Sequence, residues 1–282
     1  MERIAFYGKG GVGKSTVAAS VSLALARQGR RVLHVGCDPK HDSTLSLVEA
    51  GPIRTVLDRL LASPAGGLRR EDLIMPGKDG IDCVEAGGPQ SGVGCGGRAI
   101  SRMFELFDDL GLLDPQRYDA VVFDVLGDVV CGGFAAPLRR DVAPQVIIVA
   151  SEEMAAGYAA NNITRAVLHY RDNGVCLAGM VVNRRDNRAD LEPVRRLAAA
   201  MNTRILAVIP RTPAIQAAEL SRRSILDVGP RTQAAHRLQE LARNLMGFER
   251  QGCQDPTPLE LEEVRRVMLG GSAAAGQGSR GG

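Results

Sequence analysis

No run of five or more basic residues occurs in this 282-residue chain, and 35 Lys and Arg against 32 Asp and Glu leave a formal charge of only +3. The phosphate-backbone footprint of a nucleic-acid binder is therefore missing, and no nucleic-acid partner is expected. Equally absent is an uninterrupted apolar stretch of about 18 residues, the length a helix needs to cross a bilayer. No membrane partner is expected either. The opening MERIAFYGKGG passes straight into an apolar strand and a glycine loop, without the basic, apolar and cleavage regions of a secretory signal. The expected location is cytoplasmic. Among six cysteines there is no C-x-x-C pair and, along the chain, no internal repeat. In a reducing cytosol a disulfide framework is rare, which leaves metal binding, catalysis or plain burial for each cysteine.

With 45% hydrophobic and 24% charged residues, the chain has globular composition and enough length for one sizeable core. Short β-rich apolar runs recur: IAFYG, VLHVGCD, IDCVEAG, YDAVVFDVLG, QVIIVAS, LAGMVVN and RILAVIP, mostly with helix-like stretches between them. This is the βαβ rhythm of a single α/β domain with a mostly parallel, doubly wound sheet. STVAASVSLALARQG carries apolar residues at helical spacing, with Gly29 placed as its stop. In such folds the binding crevice lies beyond the carboxyl ends of the strands. GKGGVGKS, GCDPKHDST, EAGGPQSGVGCGG and DVLGDVVCGG all fall there. The domain is expected over residues 1–250, followed by a C-terminal arm or helix over 251–269 that reads as an isolated amphipathic segment from about Pro256 to Leu269. The small, polar stretch over 270–282 reads as a disordered tail.

Residues Gly8, Lys9, Gly10, Gly11, Val12, Gly13, Lys14 and Ser15 spell G-x-x-x-x-G-K-[ST] between a strand and a helix, the context that marks a P-loop NTPase. Glycines let backbone N–H groups wrap phosphates, and the helix start adds positive potential. Lys14 is placed to neutralise the β and γ phosphates, and the Ser15 hydroxyl to ligate magnesium. The early second lysine, Lys9, makes the segment similar to the deviant Walker A subclass, in which that lysine reaches across a dimer. A solvated loop lysine is the plain alternative.

Four carboxylates come off strand ends near this loop: Asp38 and Asp42 in GCDPKHDST, Asp124 and Asp128 in FDVLGDVV. Magnesium is a hard ion that takes oxygen ligands, and an attacking water needs orienting. Asp124, after the apolar AVVF, takes the Walker B position. Asp38 and Asp128 are candidates to position water, and Asp42 to sense the γ phosphate. Thr16 and Lys40, beside Ser15 and Asp38, are further candidates for nucleotide contact. For any single aspartate an N-cap or turn role remains the alternative.

Cys95 in GGPQSGVGCGG and Cys131 in DVVCGGF are flanked by glycines that permit close backbone approach. A 4Fe-4S cluster takes four thiolates. One chain offers two in this style, so a C2 homodimer with the cluster on its axis meets the count. Buried thiols are the alternative, and that is the reading favoured for Cys37, Cys83, Cys176 and Cys253.

Together these segments, with GCDPK, GGPQSGVGCGGR, DVLGDVVCGGFA and YAANNI, resemble the nitrogenase iron protein family. That family includes ATP-dependent reductases serving protochlorophyllide, nickel-tetrapyrrole and methylthio-alkane reduction. The resemblance runs from about Arg3 to Arg250. It implies a homodimer that binds MgATP and one shared 4Fe-4S cluster, takes electrons from ferredoxin or flavodoxin, and passes them to a heteromeric catalytic component. It implies that Cys95 and Cys131 are cluster ligands and that Lys9 acts across the dimer. Asp38, Asp42, Asp124 and Asp128 would belong to two nucleotide-sensing switches, and Asn183, Gln216 and Glu219 would hold adenine and ribose. Arg98 falls on the family's docking surface, at the position that some members ADP-ribosylate.

Within the family, His41 and VEAGG look like the protochlorophyllide branch, whereas EEMAAGYAANNI and VIPRTPAIQAAE look like the nitrogenase branch. Thr212 departs from the aspartate usual in nitrogenase iron proteins. Such a mosaic suits a nitrogenase-like reductase that is neither, for which methylthio-alkane reductase is the system expected, with the iron proteins of nitrogenase or dark protochlorophyllide reductase as alternatives. Outside the family, a positioning ATPase would need a membrane helix or basic face, and a cluster-scaffold ATPase would be expected to carry C-x-x-C.

Overall fold

The apolar runs pair into one sheet. In the computed structural model, which describes residues 1–48, 51–63, 66–89, 94–127, 133, 135–140, 142–249 and 253–271, the strands are β1 Glu2–Tyr7, β2 Val32–Cys37, β3 Met75–Pro76, β4 Asp82–Glu85, β5 Ala120–Val125, β6 Gln145–Ala150, β7 Cys176–Asn183 and β8 Ile205–Ile209. Their order is β3-β4-β2-β5-β1-β6-β7-β8. All pair in parallel except β3, which lies antiparallel on β4. The seven apolar runs of the sequence supply β1, β2 and β4 to β8. The unforeseen β3 is two residues long and ends in a proline, so it has no periodicity to detect.

Helices among the described residues are α1 Lys14–Arg27, α2 Val56–Ala62, α3 Arg70–Leu73, α4 Gly96–Asp109, α5 Met154–His169, α6 Glu192–Ala200, α7 Pro213–Leu220, α8 Ile225–Val228, α9 Gln233–Leu245 and α10 Leu261–Met268. Helix α1 stops before Gly29 and is buried from Val17 through Leu25. It packs on β2, β5 and α9. Side chains alternate along β5, so Phe123 faces away from α1 and instead meets Phe104 of α4, with ring centroids 5.7 Å apart. Helices therefore cover β5 on both faces. No helix is long and apolar enough to cross a membrane among the described residues.

Two expectations are corrected here. The segment from Pro256 to Leu269 is not isolated: α10 packs on α5 and α6 and buries Val264, Val267 and Met268. Asn161 exchanges two hydrogen bonds with Leu259, Nδ2 to the carbonyl at 2.8 Å and its Oδ1 from the N–H at 2.7 Å. Arg196 donates to the carbonyls of Val267 and Met268, which closes the α10 C-terminus. Nor are Cys176 and Cys253 separate thiols. They pair as a disulfide with Cα atoms 6.2 Å apart, and Cys253 also meets the Leu177 carbonyl, a proximity that linear spacing does not reveal.

Candidate functional site

The site lies where the sheet order reverses. β1 sits between β5 and β6, and the register sets Phe6 beside Asp124, so the loop leaving β1 passes the carboxyl end of β5. Within that loop Gly13 has φ +88°, and a Cβ there would stand 2.3 Å from Asn183 Nδ2. Only glycine meets both demands. Asn183, at the end of β7, donates from that nitrogen to the Val12 carbonyl at 2.8 Å. The phosphate loop is thus pinned from β7, two strands away in the sheet.

Lys14 and Asp124 form a buried ion pair, and Ser43 Oγ donates to the other carboxylate oxygen of Asp124 at 2.5 Å. Burial raises the Asp124 pKa, but the Lys14 charge and hydrogen bonds from Lys14, Ser15 and Ser43 outweigh it and hold the carboxyl below its ordinary value. Ser15 thus shares the Asp124 carboxylate with Lys14, a set of hard oxygen donors suited to magnesium. Asp38 is nearly buried, and burial raises its pKa despite the hydrogen bond from the Lys40 N–H. Lys40 and Asp42 are exposed and Lys9 is half-buried on the same rim. Thr16 Oγ1 donates to Glu219 at 2.8 Å, which ties α1 to α7. Gln216, one turn earlier on α7, is exposed. Asp128 lies outside the described residues.

Cys95 precedes α4 and is exposed, whereas Cys37 and Cys83 are buried. Burial raises the pKa of both buried thiols. The α4 N-terminus favours negative charge. A groove of about 780 Å³ is lined by Cys95, Gly97, Arg98, Gly133, Leu57 and Leu60, and the Gly133 and Gly97 backbones touch within it. Pro39, between Asp38 and Lys40, packs on Gly96. A Cβ at Gly96 would meet the proline ring at 2.4 Å. The loop carrying Asp38 thus bears directly on the residue after Cys95. Cys131 lies outside the described residues.

Sequence reasoning missed several participants. Arg185 donates to the Gly11 carbonyl, and nothing in NRRDNR singled it out. Glu85, fully buried at the end of β4, accepts from the Thr44 N–H at 2.7 Å and from its hydroxyl at 2.9 Å. Burial raises its pKa to about 8 against those hydrogen bonds. A carboxyl with a raised folded-state pKa contributes stability that is fully present below its unfolded value and is lost as pH rises through about 8. Glu85→Gln is expected to remove that slope and to gain a few kcal/mol relative to the parent at pH 8.5 compared with pH 5, read by urea denaturation. Identical slopes in both proteins would refute it.

A glycine phosphate loop, a buried Lys–Asp pair and a parallel sheet with this order define an α/β P-loop NTPase. The cell division ATPase MinD of Pyrococcus furiosus is similar in structure, with TM-score 0.68 and 25% identity over 87% of this chain and 98% of that one. A ParA family ATPase from Chlorobium tepidum is similar with TM-score 0.69 and 20% identity over 86% and 99%, which speaks to fold alone. Residues 2–271 match the family described as 4Fe-4S iron sulfur cluster binding proteins, NifH/frxC family. The nitrogenase iron protein of Methanospirillum hungatei is 41% identical over 270 residues, 95% of each chain. The chain belongs to the NifH/frxC family of 4Fe-4S iron proteins. Its cofactors are a 4Fe-4S cluster and MgATP, and it works as a homodimer that delivers electrons to a catalytic component. The exposed thiol of Cys95, on a helix N-terminus among close-packed glycine backbones, fits the requirement of such a cluster for thiolates and nearby N–H donors.

Proposed function

We propose that the chain is the ATP-dependent electron donor of a nitrogenase-like reductase, and that the system served is methylthio-alkane reductase. The observation that carries the reading is the contact between Pro39 and Gly96, which joins the loop of Asp38 to the exposed Cys95. In this reading the phosphate loop from Gly8 to Thr16 wraps the nucleotide, Lys14 leaves Asp124 to pair with the phosphates, and Ser15 and Asp124 serve magnesium. Lys9 reaches the partner's nucleotide. Asp38 and Asp128 position water, Lys40 and Asp42 respond to the γ phosphate, and Asn183, Gln216 and Glu219 hold the adenosine. Cys95 and Cys131 of each subunit supply the thiolates, and Arg98 meets the catalytic component. Bound there, the cluster supplies a one-electron redox centre. Pro39 converts nucleotide-dependent movement of the Asp38 loop into displacement at Cys95, an allosteric coupling. Ferredoxin or flavodoxin is the electron source.

The choice of reductase rests on the mosaic of His41, Ala86 and Thr212 with the YAANNI segment. A second reading, delivery to nitrogenase itself, is favoured by the 41% identity to a nitrogenase iron protein. Electron paramagnetic resonance with iron quantitation on dithionite-reduced dimer tests the donor reading. About four irons per dimer and a signal perturbed by MgATP are expected. An iron-free dimer that hydrolyses ATP would end it. Supplying electrons to purified methylthio-alkane reductase or nitrogenase components then separates the two systems.

A further inference from the structure

A histidine stands in the middle of β2, where the sheet otherwise takes apolar residues. His34 is fully buried, between Val122 of β5 and Cys83 of β4 in the sheet register. Its Nδ1 lies 2.8 Å from Ser22 Oγ on α1 and its Nε2 lies 2.9 Å from Ser43 Oγ. Both serines are buried. Ser43 Oγ in turn reaches Asp124 Oδ2 at 2.5 Å. A buried imidazole with two hydrogen-bond partners is costly to assemble and loses stability if either partner is missing, so the arrangement calls for an account.

The direction of the chain follows from the donor inventory. An ionised carboxylate only accepts, so Ser43 gives its proton to Asp124. The Ser43 oxygen must then accept from His34, which places the ring proton on Nε2. Nδ1 is left as an acceptor, and Ser22 donates to it. Burial pushes the His34 pKa down to about 4, against the pull of Asp124 and with the push of Lys14, so the ring stays neutral and one tautomer serves. The result is a one-way relay, Ser22 to His34 to Ser43 to Asp124, which runs from the middle of α1 to the carboxylate that also holds Lys14.

We propose that His34 is a positioning residue for the magnesium nucleotide: by holding the Ser43 hydroxyl in place it sets the orientation of the Asp124 carboxylate and anchors the 38–44 loop to the core of the sheet. This rests on the reading of Asp124 as the magnesium-side carboxylate, and not on the identity of the electron acceptor. Ser43 lies between Asp42 and Thr44, and Thr44 is itself held by Glu85. The loop is therefore anchored at two adjacent residues, one through β2 and one through β4. Without the His34 donor, Ser43 can turn away from Asp124 and the carboxylate loses one of its three partners, Lys14, Ser15 and Ser43.

The test is nucleotide affinity of the full-length, cluster-loaded dimer by calorimetry, with ATP plus magnesium and with ATP plus EDTA. For His34→Leu, MgATP affinity is expected to fall roughly tenfold, the scale of one lost buried hydrogen bond, while metal-free ATP affinity stays within about twofold. Glutamine places its amide nitrogen near the position of Nε2 and keeps the bond to Ser43, so His34→Gln is expected to restore MgATP binding. Asparagine reaches only toward Ser22, so His34→Asn is expected to behave like the leucine variant. Equal loss with and without magnesium, or rescue by asparagine and not glutamine, would overturn the proposal. Nitrogen-15 spectra of histidine in the unaltered protein supply an independent readout should a variant fail to fold. The other three of the four histidines are exposed. One ring is expected to remain neutral with its proton on Nε2 from about pH 5.5 to 8 and to shift when Ser43 is replaced by alanine. A ring that carries its proton on Nδ1, or that ignores Ser43→Ala, would equally overturn it. Loss of the iron signal in the unaltered protein would instead count against the electron-donor reading and leave the relay standing.

Discussion

Lys14→Ala is expected to weaken MgATP binding by about 100-fold or more and to abolish the effect of MgATP on the reduced-cluster signal, while iron content stays that of the parent. The affinity loss follows from removing the cation that faces the phosphates. The structure adds a second consequence, on stability. Lys14 is the ion-pair partner of Asp124, which is fully buried. Breaking such a pair from one side leaves an uncompensated charge and costs about 3–5 kcal/mol. With Lys14 present, the Asp124 pKa is depressed, so its contribution to stability is in place above the unfolded carboxyl value and is lost as pH falls through the folded one. With Lys14 removed, burial acts against the charged form with no cation to oppose it. The folded-state pKa then rises, and the penalty grows as pH increases above the unfolded value. Urea denaturation between about pH 4.5 and 7.5 should therefore show a steeper loss of stability with rising pH in the variant than in the parent, where Asp124 adds no slope over that range. Asp124→Asn in the same background should recover most of the lost stability without restoring nucleotide affinity. If Lys14→Ala binds MgATP as the parent does, the phosphate-loop assignment is wrong.

Cys95→Ser is expected to drop iron per dimer to near zero and to abolish electron delivery, with nucleotide binding retained. Serine keeps the size and a hydrogen-bonding tip but offers an alkoxide that is a poor match for iron and sulfide, for which soft thiolates are selected. On a C2 axis one substitution removes two ligands together. The position is exposed at the head of α4, so the change leaves the core untouched and the folded content should match the parent. Cys83→Ala is the informative control: that thiol is buried in β4, and its loss should cost stability through a small cavity yet leave the iron content unchanged. A Cys95→Ser dimer with full iron and full electron delivery would remove Cys95 from the cluster.

Much of this was legible in the chain because it depends on neighbours in sequence. IAFYG, VLHVG and AVVFDV are near-continuous apolar runs, broken only by His34 and Asp124, of the kind a sheet covered on both faces requires, and each forms a strand. The phosphate loop is a local code, since its glycines and Lys14 act within eight residues. Met75–Pro76 was invisible because two residues carry no period. The arm around α10 reads as isolated in the sequence because an amphipathic helix announces an apolar face without naming its partner. That partner proved to be α5 and α6, with Asn161 as the polar link. The one polar break in the β2 run, His34, was a signal that could have been followed.

By itself the sequence determined the class of fold, the phosphate loop, the cysteine in its glycine setting and the kinship with 4Fe-4S iron proteins, because each is written in short contiguous segments whose chemistry acts locally. Only the tertiary structure decided that Lys14 pairs with Asp124, 110 positions away, that Pro39 bears on Gly96, that Cys253 returns to Cys176, and that Ser22, His34 and Ser43 line up on one carboxylate. Most of those contacts join segments far apart in the chain, and the short steps from Ser22 to His34 and from His34 to Ser43 depend on how α1 and the 38–44 loop lie on the sheet. They are set by sheet order and register, which hydrophobic periodicity leaves open.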